Sequence, residues 1–308
     1  MNSVPRARLF RRDDRDQLAE LVNAHLAAVI PGARVSVNTV LSALERQPEE
    51  YVVDPWVTER VTIVVEVRER IVGAAHLQRF ADDPRVSDDY RRAGLIQWTL
   101  AYPGDDGDDE SAASALDAAD LLLRACLAQL QAWAVAVAYA DGQLPYPGVY
   151  GVPAQWPHVR DALARAGFVW DGARESILLA TPQTLPAVSG DFAARSIRVE
   201  RTLGAAGVRF TAFRDEDVCG FVELDLTAGR TERLASGGAV AEIADWDALE
   251  AEILTRILVE VREWLELSGV RHLLAATDPD DAEETRMLEE AGFREVTTTA
   301  RGWRLDLR

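Results

Sequence analysis

A short helical segment that ends in Leu-x-x-Ala-Gly-Phe occurs twice in this 308-residue chain. The first copy closes at Phe168 and the second at Phe293. Upstream of each copy lies a second matched pair, an apolar strand pattern with Gly73 in one half and Gly220 in the other. Two landmarks that recur in the same order indicate an internal duplication, so the chain is expected to fold as two related units.

The first half alternates helical and strand patterns. Asp13 and Asp14 are suitable caps for a helix with apolar residues every three or four positions. The other predicted elements are a helix at 37–44, a hairpin of 61–67 and 71–77, a strand at 95–102, a long helix through 116–133, a Pro/Gly-rich loop at 144–153 and a last strand pair through 180.

The second half repeats this order in a shorter form. Residues 181–195 are rich in Pro, Ser and Gly and predict a linker. After it come predicted strands at 197–200, 208–213, 218–226 and 239–243, a long helix at 249–267, a strand at 271–276 and a final helix with two strands. The two N-terminal helices have no counterpart. We therefore expect an α/β fold with two mixed sheets in tandem domains, 1–182 and 192–308, the second truncated.

Composition excludes several kinds of chemistry. All 33 basic residues are arginine, so lysine Schiff bases, a pyridoxal-phosphate lysine and a P-loop lysine are absent. The net charge of -18 argues against nucleic acid as a partner. No apolar run approaches a membrane span and the N-terminus has no signal-peptide pattern, which predicts a cytoplasmic protein without a membrane partner. Cys126 and Cys219 have apolar neighbours and are predicted to be buried, unpaired thiols.

A sheet, a long helix and then a helix that ends in Ala-Gly-Phe resemble the closing part of the GNAT N-acetyltransferase superfamily. The resemblance covers nearly the whole chain as two units. It implies transfer of an acyl group from acetyl-coenzyme A to an amine on a small molecule. It leaves the oligomeric state open, with a homodimer as one option.

In that family the fourth strand leads into a loop of the form Gln/Arg-x-x-Gly-x-Gly/Ala, whose backbone N–H groups bind the coenzyme A pyrophosphate. The corresponding stretch of the first copy is 103–111, which has five acidic residues, and that of the second is 244–250, which has no glycine. The acids suit a helix N-terminus but repel a pyrophosphate, so a solvated loop is the alternative interpretation. The donor-binding residues that the resemblance implies are Leu100, Tyr102, Gly104, Gly107, Ser111 and Ala112.

The family's usual general acid is a tyrosine four residues before the Gly-Phe ending, and both copies have leucine there, Leu163 and Leu288. The replacement candidates, all in the first half, are His76, Tyr102, Tyr150 and His158. The alternatives are a core histidine for His76 and an exposed first-turn residue for His158. His25 and His272 are assigned no role, and Glu223 and Glu242 of the second half are interpreted as solvent-facing strand residues.

Two functions stay open on this sequence. The missing tyrosine and the acidic loop favour a non-catalytic GNAT-fold protein that binds a ligand or acts as a scaffold. A duplication in which one copy degenerates while the other stays active favours an acetyltransferase. In either case the ligand is predicted in the first half, because only that half has the N-terminal helices and the 144–153 loop.

Overall fold

The computed structural model describes residues 4–44, 56–103, 109–140, 149–187, 197–225 and 239–307. A 3-10 turn at Arg12–Asp14 leads into the first helix. The α-helices are α1 Arg15–Val29, α2 Val37–Leu44, α3 Asp109–Ala132, α4 Pro157–Arg165, α5 Ala251–Ser268 and α6 Ala282–Glu290. The predicted helix at 37–44 and the two long helices are confirmed, with α3 starting further towards the N-terminus than its apolar pattern indicates.

The strands alternate with these helices as the sequence predicts. In the first half they are β1 Arg6–Leu9, β2 Val57–Val67, β3 Arg70–Phe80, β4 Gly94–Ala101, β5 Val137–Tyr139, β6 Val152–Pro153, β7 Val169–Trp170 and β8 Arg174–Ala180. In the second half they are β9 Ile197–Leu203, β10 Gly207–Arg214, β11 Asp217–Asp225, β12 Ala239–Ala248, β13 Val270–Thr277, β14 Arg294–Ala300 and β15 Trp303–Asp306.

The strands form two mixed sheets with matching orders. The first sheet runs β1-β2-β3-β4-β5-β15-β7, and the second, from its other end, runs β9-β10-β11-β12-β13-β8-β14-β6. In each sheet the fourth and fifth strands are parallel neighbours. The predicted α/β class with two mixed sheets is therefore confirmed.

Each half contributes its last strand to the sheet of the other half. β15, from the C-terminus, pairs with β5 and β7, while β8 pairs with β13. The compact units accordingly differ from the sequence halves: the first ends at Ala173 and resumes at Thr299, and the second runs from Arg174 to Thr298. The predicted domains 1–182 and 192–308 describe the duplicated segments of the sequence and stay a prediction. The compact units have other boundaries because the two halves exchange strands.

Equivalent glycines confirm the duplication. Gly73 lies opposite Ala101, the last residue of β4, and Gly220 lies opposite Ala248, the last residue of β12. A Cβ at Gly73 would lie 3.4 Å from Leu122 of α3, and one at Gly220 would lie 2.9 Å from a side-chain atom of α5. In both units the glycine lets the long helix approach the third strand closely.

The repeated Ala-Gly-Phe endings also have the same geometry. Gly167 has φ +93 and Gly292 has φ +97, the left-handed region that ends a helix. The following phenylalanine N–H donates to the leucine carbonyl of the motif at 3.1 Å in both copies, Phe168 to Leu163 and Phe293 to Leu288. Both leucines and both phenylalanines are buried, so the motif turns the chain from helix to strand while anchoring it in the core.

The two units differ in the helices that cover them. In the first, α1 buries Leu18, Leu21 and Leu26 completely. In the second, β9 and β10 are joined by residues 204–206 without any helix, as the truncation predicts.

Both cysteines are buried and free, which confirms the prediction made for them from the sequence. Within the described residues, no helix is long and apolar enough to cross a membrane.

Candidate active site

Strands β4 and β5 of the first unit separate soon after they meet. Their aligned pairs are Gly94 with Ala138 and Leu95 with Tyr139. β4 then continues to Ala101 while β5 ends at Tyr139. Parallel strands that part in this way expose backbone groups along the longer strand, and such groups need new partners. The result is a wedge-shaped opening beside the second half of β4.

A β-bulge in β4 lies at the start of this opening. His76 of β3 is aligned with Trp98 and Leu77 with Ile96, so Gln97 has no aligned partner. The second unit has the same irregularity, because Glu223 is aligned with Asp245 and Leu224 with Ile243. Bulges redirect the side chains that follow them and are frequent at binding sites. The fourth strand is therefore built alike in both copies.

Aromatic and aliphatic side chains fill the opening in the first unit. Trp98, Thr99, Trp156, Val159 and Leu163 are among the side chains around a remaining cavity of about 20 Å³. A cavity needs roughly 10–15 Å³ on this measure to hold one water molecule. The hydroxyl oxygen of Thr99 is buried here and has no hydrogen-bond partner among the described residues. In this conformation the opening has room for about one water molecule at that hydroxyl.

Two histidines meet the carbonyl oxygen at the end of β4. His158 Nε2 lies 2.8 Å and His25 Nε2 lies 3.0 Å from the oxygen of Ala101. The other nitrogen of His25, Nδ1, lies 2.9 Å from the oxygen of Leu21, one turn earlier in α1. Trp156 closes the cluster by donating Nε1–H to the oxygen of His25 at 3.2 Å. The cluster connects α1, β4 and the start of α4.

The sequence assigned no role to His25, yet it is the more buried of the two histidines in this cluster. It is 4% exposed, and burial lowers its pKa to about 4. It is therefore neutral at pH 7 and can donate to only one of its two carbonyl neighbours at a time. Its position on the apolar stripe of α1, three or four residues after Leu21 and Val22, is the signal that could have predicted its burial.

His158 lies in the first turn of α4 and is half-buried. Burial lowers its pKa below the usual value for histidine, so it is neutral at pH 7. A neutral ring that donates Nε2–H to Ala101 keeps its lone pair on Nδ1. Burial thus keeps His158 in its basic form, with the tautomer set by the carbonyl at the end of β4.

Tyr102 follows β4 directly and adjoins the cluster. Its ring centroid lies 6.4 Å from that of His25, and the guanidinium of Arg70 lies 5.5 Å from the Tyr102 ring. Its backbone N–H donates to Val72 at 3.0 Å, which fixes the chain as it leaves the sheet. Tyr102 and His158 are thus both brought next to His25, whereas His76 has other partners.

His76 is fully buried in the sheet of the first unit. Its Nδ1 lies 2.8 Å from the hydroxyl of Thr62, its ring stacks on Trp98, and its Nε2 has no partner. Burial first, and the charge of Arg60 second, lower its pKa to about 3. This environment matches a core histidine, since the ring has no solvent-exposed nitrogen.

The remaining predicted residues are Tyr150 and the donor-binding residues that the resemblance implied. The guanidinium of Arg301 lies 5.7 Å from the ring of Tyr150. Leu100 is completely buried and is aligned with Ala74. Gly104 and Gly107 lie outside the described residues, and Ser111 and Ala112 are described only as part of α3. Leu144–Gly148, the first part of the predicted loop over the groove, also lies outside them.

The second unit lacks the space for a phosphate-binding loop. Only Leu249 and Glu250 connect β12 to α5. The carboxylate of Glu250 bonds Arg214 at 3.2 Å, and Glu252 lies in the first turn of α5. Negative charge therefore already occupies the helix end that would attract an anion.

The interpretation of Glu223 as a solvent-facing residue is wrong. It is 3% exposed, and its carboxylate accepts the N–H of Ala206 and bonds Arg209 at 3.0 Å. The Ala206 hydrogen bond, with the help of Arg209, lowers its pKa. Glu223 thus anchors the turn between β9 and β10.

Glu242 of β12 is partly buried. Across the described ranges, no group of His, Cys, Asp and Glu could hold a metal ion.

No protein-family model matches the sequence, and no curated protein matches it. Solved structures do match it. One is a GCN5-related glucosamine N-acetyltransferase region of a fungal multi-domain GH3 β-N-acetylglucosaminidase, with a TM-score of 0.57, 15% identity and coverage of 98% of this chain and 38% of that one. Another is a tandem GNAT protein from the clavulanic acid biosynthesis pathway, with a TM-score of 0.57, 14% identity and coverage of 98% of both chains.

The chain has a tandem GNAT fold. The second match covers 98% of both chains, so it extends over both halves of this sequence. At these identities the similarity shows the fold alone. Whether this GNAT-fold chain transfers an acyl group depends on its own residues.

Proposed function

We propose that the chain is an acetyltransferase that takes its acyl group from acetyl-coenzyme A and transfers it to an amine on a small molecule. We place the reaction in the first unit. The observation that supports this most directly is the parting of β4 and β5, with a neutral histidine, His158, held on the last carbonyl of β4.

The second unit is a poorer candidate for the donor. Its connection between β12 and α5 is short and carries Glu250 and Glu252 at the helix end. A pyrophosphate there would meet carboxylates instead of free N–H groups. The first unit keeps a longer connection between Ala101 and Asp109. This difference supports a division in which one copy binds ligand and the other stabilises the fold.

The side chains of the opening do not accommodate the donor as they stand. About 20 Å³ is free beside Thr99, which suits one water molecule and not a thioester. Trp156 and Leu163 occupy the rest and are 4% and 1% exposed. What the chain's own residues can supply is a base: Nδ1 of His158 can take a proton from an ammonium acceptor.

This closed opening favours a second function, a GNAT-fold protein that has lost donor binding and binds another ligand or acts as a scaffold. The two functions differ in whether acetyl-coenzyme A is consumed. The test is to incubate the purified chain with acetyl-coenzyme A and a panel of primary amines, and to measure free coenzyme A thiol and acetylated product by mass spectrometry.

Replacing the proposed base gives this test its control. Removal of a general base lowers the rate by about 100-fold or more, so His158→Gln should abolish most of the turnover. The matched control is His272→Gln, at a half-buried histidine of the second unit whose pKa is also lowered by burial. Turnover that survives His158→Gln would contradict the assignment, and the absence of product with every amine would favour the non-catalytic function.

A further inference from the structure

An open groove of about 850 Å³ lies on the first unit at the β5, β15 and β7 end of its sheet. Its volume falls within the range of roughly 300–1,000 Å³ that is typical of ligand pockets. Tyr139 lines this groove and the next residue, Ala140, lines the cavity beside β4. The groove is nevertheless separate from the histidine cluster, because none of the cluster's side chains lines it.

Two tyrosines form one wall of the groove. The ring centroids of Tyr90 and Tyr139 lie 5.2 Å apart at an angle of 49°, and Tyr90 is 39% exposed. The Tyr139 hydroxyl donates to the carbonyl oxygen of Asp89 at 2.9 Å, which fixes that ring against the loop before β4. Val169, which is 70% exposed, adds apolar surface on the β7 side. Exposed aromatic faces of this kind attract cations.

The charges of the groove are mostly negative. Its lining contains three carboxylates, Asp89, Asp171 and Asp306, against one guanidinium, Arg304, so the net charge is three minus one, or two negative charges. Arg304 is already paired with Asp306 at 3.0 Å. Asp89 and Asp171 are both exposed. Asp306 first, and Asp89 more weakly, raise the pKa of Arg304, so Asp89 acts on the same guanidinium. Asp171 accepts the backbone N–H of Ala173 at 2.8 Å and forms no ion pair with any described residue.

We propose that this groove binds a small organic cation, with ammonium groups on Asp89 and Asp171 and an apolar body against Tyr90 and Tyr139. The combination of exposed carboxylates with exposed rings selects this class: an anion would meet the net negative charge of the groove, and a neutral apolar molecule would leave that charge uncompensated. The inference is independent of the proposed function, because it concerns binding and not acetyl transfer.

The probe for this site is hexane-1,6-diamine, which is a dication at pH 7. Titration calorimetry on the intact chain, without acetyl-coenzyme A, should show binding that weakens with added salt. Hexylamine, with one charge, should bind more weakly, and the neutral hexane-1,6-diol should not bind detectably.

Amide substitutions test the residues themselves. Asp89→Asn and Asp171→Asn keep the shape of the side chains, and the second keeps the oxygen that accepts the Ala173 N–H. Each should weaken diamine binding by about two- to fivefold, as for exposed ion pairs, and the double variant by about the product. Tyr90→Leu, which removes the ring, should also weaken it by about two- to fivefold. Asp16→Asn, at a 72% exposed carboxylate in α1, is the matched control and should change nothing.

The proposal is overturned if the diamine does not bind, if the diol binds equally well, or if Asp16→Asn weakens binding as much as the groove variants do. None of these outcomes bears on the acetyltransferase proposal, which is measured separately by consumption of acetyl-coenzyme A.

Discussion

The repeated glycines offer a test of how closely the two units follow one design. Gly167 and Gly292 have nearly the same φ, +93 and +97, so an alanine at either position is strained by the backbone alone. A left-handed conformation costs an alanine about 1–2 kcal/mol. Their surroundings differ, however. A Cβ at Gly167 would meet only Leu305, at 3.6 Å, whereas one at Gly292 would lie 2.0 Å from the backbone oxygen of Thr184.

We therefore expect Gly167→Ala to lower the free energy of unfolding by about 1–2 kcal/mol. Gly292→Ala should add the cost of moving the backbone at Thr184, about 1–3 kcal/mol for overpacking, for a total of roughly 2–5 kcal/mol. Gly172→Ala is the control for conformation alone, because Gly172 has φ +98 with nothing within 4 Å of the added Cβ.

Chemical denaturation followed by circular dichroism measures all three variants on the same chain. The expected order of destabilisation is Gly292→Ala above Gly167→Ala, with Gly172→Ala close to the latter. Equal losses for Gly167→Ala and Gly292→Ala would refute the reasoning, because the contact with Thr184 would then have no energetic consequence.

Two further predictions concern folding and pH. Fragments 1–182 and 190–308 should each fail to unfold cooperatively, since the first lacks β15 from between β5 and β7 and the second lacks β8 from between β13 and β14. Mixing the fragments should restore a cooperative transition in calorimetry, and cooperative melting of either one alone would contradict the strand exchange. For His25, burial lowers the folded-state pKa to about 4 from the usual histidine value of 6.5, so as pH falls the unfolded state takes up a proton first. The contribution of His25 to stability is constant above about pH 6.5, and about 3 kcal/mol is lost as the pH falls from there to pH 4. His25→Gln should therefore make the free energy of unfolding depend less on pH in this range. An equal slope in the variant and the unmodified chain would contradict the lowered pKa of His25.

Much of the fold could be predicted from the sequence, because its signals are local. Apolar periodicity gives the long helices, and the left-handed glycines mark where α4 and α6 end. The strand exchange could not be predicted in this way. β8 and β15 are equivalent last strands, and which sheet each one completes depends on pairings that are distant in sequence.

The candidate site was predicted only in part. Tyr102 and His158 both lie next to His25, but His25, which connects the cluster to α1, was assigned no role. Glu223 was misjudged because alternation along a strand does not reveal that a turn, at Ala206, folds over one face. The strand β5 was not predicted, because it has only three residues and so short a run shows no clear spacing of apolar side chains.

The central claim is that the first unit binds acetyl-coenzyme A in the opening beside β4. The measurement that tests it most directly is calorimetric titration of acetyl-coenzyme A into the intact chain, into Trp156→Ala and into Trp246→Ala. Trp156 lines the opening of the first unit, and Trp246 lies on β12 of the second, where it bonds Glu284. We predict one site per chain, tighter binding in Trp156→Ala because the opening is enlarged, and no change in Trp246→Ala. Binding that changes only in Trp246→Ala, or no binding to any of the three proteins, would contradict the claim.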